Sequence, residues 1–172
     1  MVEYKIKSRY IYSIIAVFCL IMYILQYTEG VFIRIHNGSA VVLVPIVVFI
    51  GMFFKQYIGT AFGLFVGILM DINTNGFFCF NAIILMLFGC FSWLLVTCYL
   101  NKNFLTAVIL DIVFSFLYFT IKWGAMIIFN GADGYAGHYA IYSVPSALYT
   151  AALGLPIYFL FNWFTNKISY KK

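Results

Sequence analysis

The chain has 172 residues, 65% of them hydrophobic and only 9% charged, with a mean hydropathy of +1.02 and a formal net charge of +5. A water-soluble domain of this size cannot hide so much apolar surface in its core, so the composition excludes a soluble globular protein and predicts an integral membrane protein. The hydrocarbon core is roughly 30 Å thick and takes about 20 helical residues to cross, so some six crossings use up the chain and leave no room for a soluble catalytic domain.

The first predicted span runs from about Tyr10 to Gln26, behind the basic stretch KIKSRY. No small-x-small cleavage site follows it and further apolar segments come after, which predicts a retained anchor rather than a signal peptide. Ala40 to Phe54 and Tyr57 to Met70 form spans two and three, separated only by Lys55 and Gln56. At about 15 residues, each reaches roughly 22 Å. A tight helical hairpin, two short tilted helices and a partly re-entrant pair are all compatible with that length. A single kinked helix would leave five spans and put the two basic termini on opposite faces. Phe77 to Leu100, Phe104 to Phe129 and Tyr139 to Phe164 complete the set. The apolar runs are continuous and lack the alternation of barrel strands, so the expected fold class is an all-α bundle of six transmembrane helices.

Basic residues set the expected orientation. Lys5, Lys7 and Arg9 precede span one, Lys55 separates spans two and three, Lys102 separates four and five, and Lys167, Lys171 and Lys172 follow span six. With alternating spans, eight of the ten basic residues fall on one side, while Arg34 lies in an outer loop and Lys122 within span five. Both termini are expected in the cytoplasm.

Span three carries an unusual pattern, GTAFGLFVGILMD, with Gly59, Gly63, Gly67 and Asp71 spaced four apart. Glycine is a poor helix former. In lipid, however, helices associate by close van der Waals contact, and residues four apart line up into a groove where Cβ atoms are missing. The stripe predicts a packing seam, facing another helix of the chain or a helix of a partner; a substrate path is the less economical reading. Asp71, at the outer end of the stripe, is expected either to cap the loop DINTNGFF at the interface or to pair with Lys122. Lys122 stands 18 residues after Phe104, or roughly 27 Å along the helix, at the same outer level.

Asp111 is the costliest residue in the chain. It lies seven positions into span five, roughly 10 Å deep, where a carboxylate costs about 2.5 to 3.5 kcal/mol. Lys122 points the same way but lies about 16 Å further along the axis, too far for a direct pair. Asp111 must therefore be protonated, snorkel toward Lys102, or meet a polar group on another helix or a partner.

Cys19, Cys79, Cys90 and Cys98 show no metal-type spacing and read as small packing residues. His36 and His138 stand far apart in outer loops, each without a second ligand nearby. No metal or other cofactor is expected. Tyr10, Tyr12, Tyr57, Trp123, Tyr139, Tyr142 and Trp163 cluster toward span ends as an interfacial belt, with Trp93 nearer mid-span. No phosphate loop, nucleophile elbow or paired acid and base occurs, and the positive charge sits on the cytoplasmic flanks, where it needs no nucleic acid.

The run from Val41 to Phe91, a span with Pro45, a short turn, the pattern G-x-x-x-G-x-x-x-D at Gly63, Gly67 and Asp71, then Gly76 and a further apolar span with Gly89, resembles the MreD rod-shape-determining family of bacteria. The closing segment VPSALYTAALGLPIYFLFNWF, with Pro145, Tyr149 and Pro156, is similar to the last span of that family. The resemblance covers most of residues 41–164; span five, with Asp111 and Lys122, is its least similar part. It implies a non-enzymatic component of the cell-elongation machinery in the cytoplasmic membrane. Such proteins bind the bitopic protein MreC and join MreB filaments to peptidoglycan synthases such as the RodA glycosyltransferase. It also implies a compact bundle resembling the S components of energy-coupling-factor vitamin transporters. An S component is itself the alternative function, but those subunits carry an A-x-x-x-A seam in span one. Here span one offers only Ala16 among bulky residues.

Overall fold

The computed structural model describes residues 2–28, 40–73, 79–100, 102–130 and 143–169, with side chains from residue 11 onward apart from 126, 128–130, 164 and 166–169. Arg34, His36, Gly76, His138, Tyr139, Tyr142, Lys171 and Lys172 lie outside the described residues. Six helices and no strand occur among the described residues: α1 Val2–Tyr27, α2 Leu43–Phe53, α3 Gln56–Ile72, α4 Phe80–Cys98, α5 Phe104–Asn130 and α6 Val144–Ser169. Three of them contain stretches long and apolar enough to cross a membrane, Phe80–Cys98, Phe104–Ala125 and Val144–Trp163. The protein is a helical membrane protein.

The second predicted span differs most from expectation. Within the expected span from Ala40 to Phe54, α2 has 11 residues, about 16 Å of helix. Every residue from Ala40 to Met52 is buried, and all five other helices touch α2. Its apolar character on every side is that of a helix enclosed by protein. Its first turn accommodates Pro45, because the first N–H groups of a helix lack intrahelical acceptors. Neighbouring helices satisfy the other groups there: the Val41 N–H donates to Thr150 Oγ1 of α6 at 3.1 Å, and the Leu43 N–H donates to Gln26 Oε1 of α1 at 3.3 Å.

Between α2 and α3 the chain leaves the helix at Phe54 and Lys55, both extended. It is therefore a tight hairpin and not one kinked helix. The Lys55 carbonyl accepts from the N–H groups of Ile58 and Gly59 at 2.9 and 3.2 Å, which starts α3. The expected starts of the fourth and sixth spans, Phe77 and Tyr139, lie outside the described residues; α4 is described from Phe80 and α6 from Val144, and α6 continues past Phe164 to Ser169.

Pairings between helices fix their directions. Gly63 of α3 lies against Leu85 of α4 and Gly67 against Ala82, so these two run antiparallel. Phe88 meets Phe114 and Asn81 meets Tyr118, making α4 and α5 antiparallel. Asp111 lies against Gly154 and Phe104 against Tyr158, which does the same for α5 and α6. Val41 meets Thr150 and, two turns on in both helices, Phe49 meets Tyr158, so α2 and α6 are parallel. The helices alternate, and one end of the bundle holds the start of α1, Lys55, Lys102 and the end of α6. This is the basic end; Asp71, Asn81 and Lys122 lie at the other.

Candidate functional site

The stripe of α3 is built into α4. A Cβ at Gly63 would collide with the Leu85 carbonyl and one at Gly67 with the Ala82 backbone. At Gly59 it would come within 2.8 Å of both Gly51 Cα and the Gly89 carbonyl oxygen. Gly51, Gly59 and Gly89, one from each of three helices, therefore form a junction where backbones touch, with Ser92 Oγ filling the space beside Gly51. The seam anticipated at Gly59, Gly63 and Gly67 is occupied by this chain's own helices, which leaves no room there for a partner.

Asp71 closes the seam. Its Oδ1 accepts from the Asn81 N–H at 3.1 Å and the Asn81 side-chain amide at 2.8 Å, and its Oδ2 accepts from the Ala82 N–H at 3.0 Å. The carboxylate thus caps the N-terminus of α4 from the end of α3. That is where unpaired N–H groups and the helix dipole favour negative charge. Cys79, just before α4, holds a φ of 65°, the left-handed conformation uncommon for a residue with a Cβ. The residue at the cap position has no side-chain cap of its own, so the cap comes from across the hairpin.

From this cap a polar chain crosses to α5. The buried Tyr118 hydroxyl donates to Asn81 Oδ1 at 2.9 Å. The half-buried Lys122 ammonium stands 5.9 Å from the centre of the Tyr118 ring, within reach of a cation–π attraction. The expected direct pairing of Asp71 with Lys122 is replaced by this relay: Asp71, Asn81, Tyr118, Lys122. The α4 terminus offers the carboxylate well-aligned donors. Sequence reading passed over Asn81 and Tyr118. The signals were an asparagine opening an apolar helix and a tyrosine one turn before the lysine.

Asp111 lies at mid-bundle, 1% exposed. Ser115, one turn along the same helix, donates to Oδ1 at 3.4 Å. The carboxylate fills the gap left by Gly154 of α6, where a Cβ would overlap it. It does not snorkel toward Lys102, which is exposed at the basic end. The polar partner belongs to its own helix, and the neighbouring helix contributes a missing side chain. Asp71 and Asp111 thus serve separate places, and no pair of acids comes together among the described side chains.

Among the cysteines, Cys19 is buried in the core and the Cys90 sulfur accepts from Gln56 Nε2 at 3.2 Å. Comparisons with protein-family models, curated proteins and solved structures match nothing along this chain.

Proposed function

We propose that this protein is a non-enzymatic, multi-pass component of the bacterial cell-elongation complex, needed for rod shape. In this reading all six helices are embedded in the cytoplasmic membrane with both termini in the cytoplasm, where the basic end of the bundle belongs. The protein binds an MreC-like bitopic partner and through it links MreB filaments to peptidoglycan synthases.

One observation carries the reading: four of the residues that support the resemblance to the MreD family converge on one structural unit. Gly63, Gly67, Asp71 and Gly89 all lie in the α3–α4 seam and its cap, and Pro45 opens the helix that this unit encloses. A pattern concentrated in a folding unit supports a shared architecture. Because the seam is closed within the chain, the partner docks on an outer face. α1, with Ile14, Val17, Ile21 and Ile24 exposed, and α5, with Leu105, Ile109, Val113 and Leu117 exposed, both present such a face.

Depletion of the protein in its host, combined with pull-down of a tagged copy, tests this. The expected result is rounded or swollen cells, with an MreC-like protein and peptidoglycan synthases recovered. Normal cell shape with an ATP-driven transport module in the pull-down would overturn it and point to a vitamin-binding subunit.

A further inference from the structure

We propose that the groove between α1 and α6 binds an acyl chain of an anionic phospholipid, with the phosphate held at the basic end of the two helices. The proposal rests on the protein's being embedded in a bilayer and is independent of the role in cell elongation.

The groove is lined by Ile14, Ile15, Phe18, Leu160, Phe161 and Trp163, is open to the side of the bundle and offers about 160 Å³. Ile15 and Phe161 are buried and form its floor, while Ile14, Leu160 and Trp163 stand exposed as its walls. Phe18 and Phe161 meet edge to face at 5.9 Å, which ties the two helices together there. An apolar lining of this kind is better covered by hydrocarbon than by water.

Charge decides which hydrocarbon. α1 and α6 run in opposite directions, so the residues before Ile14 and those after Trp163 lead to the same end of the bundle. Arg9 precedes Ile14 by about 7 Å of helix and Lys167 follows Trp163 by about 6 Å; Lys5 and Lys7 lie further along α1. The mouth of the groove is therefore flanked by helix segments bearing four cations and, within the same stretches, the single acid Glu3. Clustered Lys and Arg next to a span attract anionic headgroups, and basic sites between spans hold them. A zwitterionic headgroup carries its own ammonium, which the same cations repel. A partner helix would satisfy the apolar lining but brings no obligatory negative charge.

Trp163 in the wall gives a direct readout. The full chain with Trp93→Phe and Trp123→Phe is reconstituted in bilayers containing phosphatidylglycerol or phosphatidylcholine brominated in the acyl chains, and quenching of Trp163 fluorescence is recorded. Phosphatidylglycerol is expected to occupy the groove about tenfold more strongly. Lys5→Gln, Lys7→Gln, Arg9→Gln and Lys167→Gln together should abolish that preference and leave quenching by phosphatidylcholine unchanged. Equal quenching of the parent by both lipids, or a preference that survives the fourfold substitution, overturns the proposal; so does quenching by neither, which would mean that a protein helix covers the groove. Should the tryptophan variant fail to fold, native mass spectrometry of the unaltered chain decides between the same outcomes by comparing retention of the two lipids.

Discussion

Asp71 serves as helix cap for a segment that begins nine residues later, at Phe80, and it makes three contacts on α4. Asp71→Ala would leave two N–H groups at the start of α4 without their acceptor. Hydrogen bonds to charged groups contribute about 1.5 to 3 kcal/mol, and loss of a cap about 1 kcal/mol, so a destabilisation of about 2 kcal/mol is expected in detergent unfolding. Asp71→Asn keeps one acceptor and should cost less. Asp71→Ala combined with Asn81→Ala should be strongly non-additive, since the two side chains bond each other. Asp71→Asn combined with Lys122→Gln should be nearly additive, because the ammonium faces the Tyr118 ring. Strong coupling in that second cycle would restore the direct ion pair and undo the relay.

Between helices, the glycines differ sharply in what surrounds them, although the sequence presents them alike. Gly63 meets the Leu85 carbonyl, whereas a Cβ at Gly124 of α5 would have nothing within 4 Å. Gly63→Ala should therefore force α3 from α4 and lower stability by about 1 to 3 kcal/mol, the cost of overpacking. Gly124→Ala should stabilise by about 0.5 to 1 kcal/mol through the better helix former. Thermal unfolding of the two single variants checks the contrast; equal effects would show that the α3–α4 contact is looser than described. The spacing made the seam legible, because a small residue every fourth position aligns on any helix. Its occupant was not legible, because spacing does not encode which helix lies opposite. The surroundings of α2 were hidden for a related reason. Continuous apolarity describes a helix in lipid and a helix enclosed by others equally well, and only the neighbours distinguish them. Asp111 shows the same limit: its burial was readable from its depth in span five, but the gap it fills belongs to Gly154, over forty residues away.

At the scale of the whole molecule, the alternation of helix direction and the distribution of charge are two independent observations that bear on one question. Helix pairing brings the start of α1, Lys55, Lys102 and the end of α6 to one end of the bundle. The sequence places eight of its ten cations at or beyond those same positions and puts Asp71 at the opposite end. Positive residues near spans remain on the cytoplasmic side during insertion, so the basic end is expected inside and the Asp71 end outside. Lys102 and Asn73 are both exposed and mark the two ends. In a background without the four native cysteines, Asn73→Cys should react with an impermeant thiol reagent applied to intact cells. Lys102→Cys should react only after the membrane is opened. A kinked α2–α3 segment crossing once would instead place Lys5 and Lys102 on opposite sides, so a cysteine replacing Lys5 gives the deciding comparison. Matching protection at positions 5 and 102 requires an even number of crossings between them, which the α2–α3 hairpin supplies. Opposite protection would mean that the hairpin does not open to one face and that the bundle inserts with its basic end divided.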